Sequence, residues 1–415
     1  MRNNVIVGQS GGPTAAINAS LAGVYRCAVD MGVSKVYGML RGIQGLLEEQ
    51  YIDLSEHIRC QLDEELLKRT PASFLGSCRY KLPDFKKDSA VYDKIFAILD
   101  RLDIGAFIYI GGNDSMDTIQ KLSDYAAVIG HPTKFIGCPK TVDNDLPLTD
   151  HTPGFGSAAK YIAVSMKEIL RDTICQAPAK GSVTVVEIMG RNAGWLTGAT
   201  ALCRGEDCEG PDLIYLPESI FDIEDFKAKI SQLLAIKSTI VVAVSEGIRV
   251  ADGRYVCELG ADIDYVDVFG HKQLTGTATY LANYLTAQLG CKSRAMELNI
   301  LQRAGSHLAS LTDIQEAFLA GSAAAKAALD GQTGQMVTFQ RISDSPYRCE
   351  TALKDIHQIA NGEQCVPLEW IDEANADVTK EFMTYVTPLI QGELQPIMVN
   401  GVPRHLYAPK QLLRK

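Results

Sequence analysis

The chain has 415 residues, enough for two or three domains. Its composition, 46% hydrophobic and 22% charged, is that of a packed globule, and a net charge of −10 argues against a nucleic-acid surface as the main function. No apolar run approaches the roughly 18 residues of a membrane span, and the start, Met1-Arg2-Asn3-Asn4, runs directly into a strand-like segment without a signal peptide, so a cytoplasmic protein is expected.

The hydrophobic pattern predicts strands at 4–8, 106–110, 134–138, 183–188, 213–216, 239–244 and 335–339. Helices are expected at 15–31, 91–102, 115–127, 157–171, 223–235, 277–287 and 313–329. Most of the strands are continuous apolar runs, such as Ala106-Phe107-Ile108-Tyr109-Ile110, the pattern of strands buried on both faces of a parallel sheet. The alternation of the two element types makes the class α/β with right-handed crossovers. A crossing between domains is expected near 146–156, where Pro147, Pro153, Gly154 and Gly156 break any regular element. Ligands of open α/β sheets bind at the carboxyl ends of the strands, and the motifs cluster there.

Ser10-Gly11-Gly12 follows the first strand and precedes a helix, and Gly111-Gly112-Asn113-Asp114-Ser115 repeats that geometry later in the chain. Glycines let backbone N–H groups approach an anion while the helix N-terminus adds positive potential. Each loop alone has a competing reading: an unliganded turn for the first, and Asp114 or Ser115 as a helix cap for the second. Neither is a GxGxxG or Walker A motif. The strongest local signal is Pro139-Lys140-Thr141-Val142-Asp143-Asn144-Asp145, a strand ending in one cation and two acids. The cation suits a phosphoryl group, one acid can take a proton, and the other can hold a metal or a hydroxyl. The competing reading is a solvated turn with an incidental ion pair. Met189-Gly190-Arg191-Asn192-Ala193-Gly194 and Glu246-Gly247 close two further strands. Arg171, Arg294 and Arg303 lie in mostly apolar surroundings and suit a phosphomonoester, although each singly reads as a surface arginine. The 11 cysteines are scattered without a CxxC pair and the seven histidines without HxH or HxxxH spacing, so reduced thiols and no zinc site are expected.

Taken in order, Gly8-Gln9-Ser10-Gly11-Gly12, the TxDND segment at Thr141–Asp145, the Met189-Gly190-Arg191 segment and Gln302-Arg303-Ala304-Gly305-Ser306 resemble the phosphofructokinase family, over most of the chain. The resemblance implies two facing three-layer α/β domains with mostly parallel sheets and the active site between them. It implies residues 1–154 plus about 302–352 as the phosphoryl-donor domain, and 155–301 plus about 353–415 as the sugar-phosphate domain. Asp143 would be the general base on the 1-hydroxyl of fructose 6-phosphate, and Thr141 would orient the transferring group. Asp145 would support Mg²⁺ and the sugar. Met189, Gly190 and Arg191 would line the sugar, with Arg191 stabilising the transition state, and Glu246 would bind sugar hydroxyls. Arg303 would hold the 6-phosphate, joined by Arg171 and Arg294 from a neighbouring subunit, which implies a homodimer or homotetramer. Gly11, Gly12, Arg79, Gly112 and Lys140 would bind the donor.

ATP-using members carry glycine where this chain has Asp114 and Lys140, whereas members similar to it use inorganic pyrophosphate. A carboxylate about 4 Å from an α-phosphate costs about 4 kcal/mol at an effective dielectric near 20, roughly a thousandfold in affinity. Lys140 supplies charge near the leaving phosphate. The expected reaction is therefore reversible phosphoryl transfer from pyrophosphate; the alternatives are an ATP-dependent kinase and a non-catalytic regulatory subunit of the same fold. Two positions depart from the family pattern. Asn113 stands where most members have a metal-binding aspartate and would coordinate Mg²⁺ through water by its uncharged amide oxygen, and Ile300 stands where relatives have a histidine or tyrosine. Gly270-His271-Lys272 is a basic segment that would compensate for Ile300.

Overall fold

The computed structural model describes residues 3–176, 181–260, 274 and 276–413. In chain order the main elements are β1 (Asn4–Gln9), α1 (Ile17–Asp30), β2 (Lys35–Met39), α2 (Gly42–Leu47), β3 (Tyr51–Asp53), α3 (Gln61–Arg69), α4 (Ala90–Arg101), β4 (Ile104–Gly111), α5 (Asn113–Ile129) and β5 (Lys134–Pro139). There follow α6 (Phe155–Cys175), β6 (Ser182–Ile188), α7 (Trp195–Gly198), β7 (Leu213–Tyr215), α8 (Ile223–Leu234), β8 (Thr239–Ser245), α9 (Thr277–Leu289), β9 (Lys292–Glu297), α10 (Leu301–Ala304), α11 (Leu311–Leu329), β10 (Gln335–Asp344), β11 (Tyr347–Asp355) and α12 (Lys380–Val386). All seven expected strands and all seven expected helices are present, within a few residues at their ends.

The chain divides into two compact units. The first comprises Met1–Ser157, Arg303–Glu363 and Ile390–Lys415. It is built on a seven-stranded sheet of order β11-β10-β5-β4-β1-β2-β3. The five central strands run parallel, and β3 and β11 close the two edges antiparallel. Successive side chains of a strand face opposite ways, and β1 shows the result. Val5 and Val7 enter a core with Leu21 and Val24 of α1 and Ala320 and Ala324 of α11. Ile6 enters a second core with Ile95 and Leu99 of α4 and Met116 and Ile119 of α5. Helices thus cover both faces, which is why these strands read as unbroken apolar runs.

The second unit comprises Ala158–Gln302 and Gln364–Leu389. Its four-stranded sheet, order β7-β8-β6-β9, is wholly parallel. Val183, Val185, Val242 and Val244 pack on Phe226 and Ile230 of α8 and Leu281 and Leu285 of α9. A separate aromatic group joins Trp195 to Trp370, Phe382 and Tyr385.

The expected assignment of 353–415 to the second domain differs from this division. β11 pairs along its length with β10, and Ile356 and Ile359 enter the first unit's core. Residues beyond Ile390 return there as well: Leu311 N–H donates to the Gly392 carbonyl (3.2 Å) and Leu406 N–H to Thr70 Oγ1 (2.9 Å). Only 364–389 stays with the second unit, tied by Trp195 Nε1 donating to the Gln364 carbonyl at 3.0 Å.

Candidate active site

In the first unit the strand order reverses direction between β1 and β4, because the chain builds β2 on one side of β1 and then β4 and β5 on the other. Such a switch point opens a crevice at the carboxyl ends of the two strands. Ser10-Gly11-Gly12 leaves β1 there, and Gly111-Gly112 leaves β4. Gly112 heads α5 with no side-chain cap, and Ser115 N–H closes the first turn on the Gly112 carbonyl at 3.0 Å. Lys140 follows β5, the next strand, and its N–H donates to the Gly111 carbonyl at 3.0 Å.

The Lys140 side chain is buried and its Nζ donates to the Gly12 carbonyl at 2.6 Å. A methyl group on Gly11 would lie 3.4 Å from Lys140 Nζ, and one on Gly12 would lie 3.4 Å from Arg303 Nη1. The glycine loop, Lys140 and Arg303 therefore meet. Burial lowers the Lys140 pKa to about 8, with Arg303 adding to the effect and Asp143 and Asp145 opposing it. Burial raises the Asp145 carboxyl well above the usual carboxylate range, and the neighbouring Asp143 and Glu363 push the same way. Asp145 Oδ1 is buried without a hydrogen-bond partner among the described residues.

The turn carrying these groups is held tightly. Asp143 N–H donates to Thr141 Oγ1 (3.1 Å). Asn144 adopts a left-handed backbone (φ 55°), tolerated by asparagine better than by most residues. Its Oδ1 accepts from Thr152 N–H (2.9 Å), while Thr152 Oγ1 donates to the Thr141 carbonyl (2.8 Å). Asp114 is exposed in the first turn of α5, and Arg79 is exposed just after Ser77, whose Oγ donates to the Gly11 carbonyl at 2.6 Å. Asn113 is engaged structurally. Its Nδ2 donates to the Gly362 carbonyl and its Oδ1 accepts from Asn361 N–H (2.6 Å), so the amide ties down the chain after β11.

In the second unit, Met189-Gly190-Arg191 follows β6 and Glu246 follows β8, its neighbour. Glu246 N–H donates to the Ile188 carbonyl (2.9 Å), Gly190 N–H reaches Glu246 Oε1 (3.5 Å), and Ser245 Oγ donates to the Gly190 carbonyl. Gly247 has no room for a side chain, since a Cβ would stand 1.8 Å from the Arg191 carbonyl oxygen. Arg171 and Arg294 stand elsewhere. Arg171 lines a cavity of about 530 Å³ with Lys167, Cys208 and Lys237, and Arg294 on β9 donates to Gln176 Oε1 (2.8 Å). Ile300 is largely exposed, and Gly270-His271-Lys272 lies outside the described residues.

Three supporting residues have no role assigned from the sequence. Buried Gln302 accepts Met189 N–H (3.1 Å) and donates to the Asn299 carbonyl (2.9 Å). Glu218 accepts the N–H groups of Gly194 (2.8 Å) and Val366 (2.9 Å). Asp313 accepts from Gly154 N–H (2.8 Å) and Ser157 N–H (3.0 Å). Gln302 opens the Gln302–Ser306 motif, although its own role is not read from it; the other two act across long sequence separations.

The family model described as phosphofructokinase matches residues 4–328. The chain belongs to the phosphofructokinase family. Among curated members it is 40% identical over 407 residues to the pyrophosphate–fructose 6-phosphate 1-phosphotransferase of Halomonas elongata, covering 97% of this chain and 95% of that one. It is also 40% identical over 405 residues, with the same coverage, to the protein of that name from Methylococcus capsulatus. The crystal structure of the pyrophosphate-dependent phosphofructokinase from Nitrosospira multiformis superposes with a TM-score of 0.88 at 36% identity, covering 98% of this chain and 96% of that one. The mostly parallel α/β architecture is thus that of phosphofructokinases. No helix among the described residues is long and apolar enough to cross a membrane.

Proposed function

We infer that the chain transfers a phosphoryl group reversibly from inorganic pyrophosphate to the 1-hydroxyl of fructose 6-phosphate, giving fructose 1,6-bisphosphate and phosphate. The observation that carries the choice of donor is Lys140 together with Asp114. A buried ammonium sits on the Gly12 carbonyl at the end of β5, and a carboxylate stands in the first turn of α5, where a nucleotide's further phosphate would be repelled.

In this reading the Asp143 carboxylate takes the proton of the 1-hydroxyl as its oxygen bonds to the terminal phosphorus. The bridging P–O bond breaks, and phosphate leaves. Lys140 and Arg191 neutralise the charge that develops on the transferring and leaving groups. Thr141 orients the transferring group, and the loops at Gly11, Gly12 and Gly112 offer N–H groups to the donor, with Arg79 beside them. Met189, Gly190 and Glu246 hold the sugar. Arg303 neutralises phosphate charge from its resting place beside Gly12. Arg171 and Arg294 serve the 6-phosphate of a partner copy in a homodimer or homotetramer; the place of Arg294 on an edge strand supports this role.

The residues present fit a divalent cation. Among the described residues Asp145 Oδ1 is buried without a hydrogen-bond partner, and the like charge of Asp143 makes ionising both acids unfavourable without a cation. Asp145 and oxygens of pyrophosphate would hold Mg²⁺, which supplies charge neutralisation at the phosphoryl oxygens. We assign this role to Asp145 in preference to Asn113, whose amide is engaged with Asn361 and Gly362.

The test is a side-by-side assay of fructose 6-phosphate phosphorylation with Mg²⁺ and either pyrophosphate or ATP. Turnover with pyrophosphate alone is expected. Turnover with ATP alone would overturn the donor argument, and silence with both would favour a regulatory subunit. In the same assay, Asp114→Gly with Lys140→Gly is expected to lose pyrophosphate turnover and gain ATP binding. Gly247→Ala is expected to lower kcat/KM for fructose 6-phosphate about 10²-fold, because the new Cβ displaces the Arg191 backbone. Unchanged kcat/KM would remove Arg191 from the site.

A further inference from the structure

We propose that His151 is a positioning residue for phosphoryl transfer: clasped as an imidazolium between Asp150 and Glu316, it anchors the strap at 149–154 that holds the turn at 141–145. The inference rests on the assignment of that turn to phosphoryl transfer.

The His151 ring is buried and stacks on Phe339, with ring centroids 4.8 Å apart and planes 10° from parallel. Its Nδ1 lies 2.8 Å from Asp150 Oδ2 and its Nε2 lies 2.7 Å from Glu316 Oε2. A neutral imidazole carries one N–H and cannot donate to two carboxylates. Both carboxylates are themselves committed. Asp150 Oδ2 accepts from Arg341 Nη2 (2.9 Å) and Nε (3.1 Å), and Glu316 Oε1 accepts from Tyr347 OH (2.8 Å). The charged and titratable groups around the ring are therefore Asp150 on the strap, Glu316 on α11 with Asp313 one turn before it, Arg341 on β10, and Tyr347 and Cys349 on β11. Within the clasp, a charged His151 and Arg341 balance Asp150 and Glu316; Arg341 also pairs, on its outer side, with the exposed Asp344 (2.9 Å). Without its proton, a net negative charge is left buried. Burial alone would lower the His151 pKa, but Glu316 and Asp150 outweigh it and raise the pKa to about 9.

The strap joins this cluster to the turn. On one side, Phe339 N–H donates to Thr149 Oγ1 (2.8 Å) and Asp150 N–H to the Phe339 carbonyl (2.9 Å). On the other, the residue after His151 is Thr152, which makes the two hydrogen bonds to Asn144 and Thr141 described above. Gly154 bridges to Thr141 and donates to Asp313. Loss of the His151 proton removes one of the two ionic anchors of this strap. Because the folded pKa lies above the usual histidine value, the cluster's stabilisation is full below about pH 6.5. It is lost as pH rises through about 9.

The test uses the full-length chain. ¹⁵N NMR of the histidine rings, assigned by His151→Gln, is expected to show an imidazolium through pH 8. Glu316→Gln keeps the side-chain size but removes a charge, and is expected to lower the His151 pKa by about one unit or more. The alkaline limb of kcat at saturating substrates is expected to move with it, whereas a limb caused by Lys140 would stay in place. His151→Gln is expected to lower kcat about 10–100-fold with KM for both substrates within about twofold. A neutral His151 ring at pH 7 in the unmodified protein, or an alkaline limb that stays put while the His151 pKa moves, overturns the proposal. Failure of the turn's own assignment is seen separately, as normal turnover in Asp143→Asn.

Discussion

Replacing Asp143 by asparagine is expected to lower kcat for fructose 6-phosphate phosphorylation by about 10²–10⁴ while leaving the fold intact. The fold should survive because Asp143 is half-buried and the turn is held by other groups: the Asp143 N–H on Thr141 Oγ1 and the Asn144 and Thr141 bonds to Thr152. Asparagine has the same shape but cannot take a proton from an alcohol. The change also removes the like charge that helps raise the Asp145 pKa, so Asp145 should ionise more readily in the variant. Titrating Mg²⁺ in the same variant separates loss of the base from loss of metal. The measurement is kcat at saturating pyrophosphate, fructose 6-phosphate and Mg²⁺, with circular dichroism as the fold control. Near-normal turnover would remove Asp143 as the base.

Lys140→Met is expected to lower kcat/KM for pyrophosphate about 10²–10³-fold, since one unit charge about 4 Å from a phosphoryl group is worth about 4 kcal/mol at an effective dielectric near 20. The effect on stability should be much smaller. The variant leaves the Gly12 carbonyl without its Nζ partner, which costs about 1–3 kcal/mol, but it also relieves the burial of an ammonium. The pH dependence separates the two roles. Because burial lowers the Lys140 pKa to about 8, the folded free enzyme holds fewer protons there than the unfolded chain between about pH 8 and the ordinary lysine value. This site's contribution to stability therefore rises with pH over that window, while its contribution to pyrophosphate capture falls. In wild type, kcat/KM for pyrophosphate should decline above about pH 8; in Lys140→Met the Lys140 component of that decline should be absent. An unchanged profile and unchanged kcat/KM would show that the donor is bound without this lysine.

The α/β class, seven of the strands and the helices that cover them were legible in the sequence. Strands such as Val5-Ile6-Val7 and Phe107-Ile108-Tyr109 are apolar on both faces because helices cover both sides of the sheet. The site motifs were legible for a related reason: a glycine pair or a charged turn directly after such a strand falls at the carboxyl end of a sheet, where ligands bind. Elements without that signature were missed. β9, Lys292–Glu297, is an exposed edge strand carrying Lys292, Arg294 and Glu297. β11 alternates exposed and half-buried residues beside β10, and β2 and β3 are only five and three residues long.

What only the tertiary structure decided is which groups are neighbours across long stretches of chain, and hence their charge. Lys140 reads in the sequence as a lysine in a turn; in the fold it is buried against Gly12, with Arg303 nearby, and its pKa falls. Asn113 reads as a metal ligand beside Asp114, yet its amide is engaged by Asn361 and Gly362. His151 carries no motif, and its charge depends on Glu316, 165 residues away. Local pattern determines which segments form strands and helices, because periodic apolar residues must be buried wherever the segment packs. The protonation state of a buried group depends instead on desolvation and on charges a few ångströms away, and those are set only when distant segments are brought together.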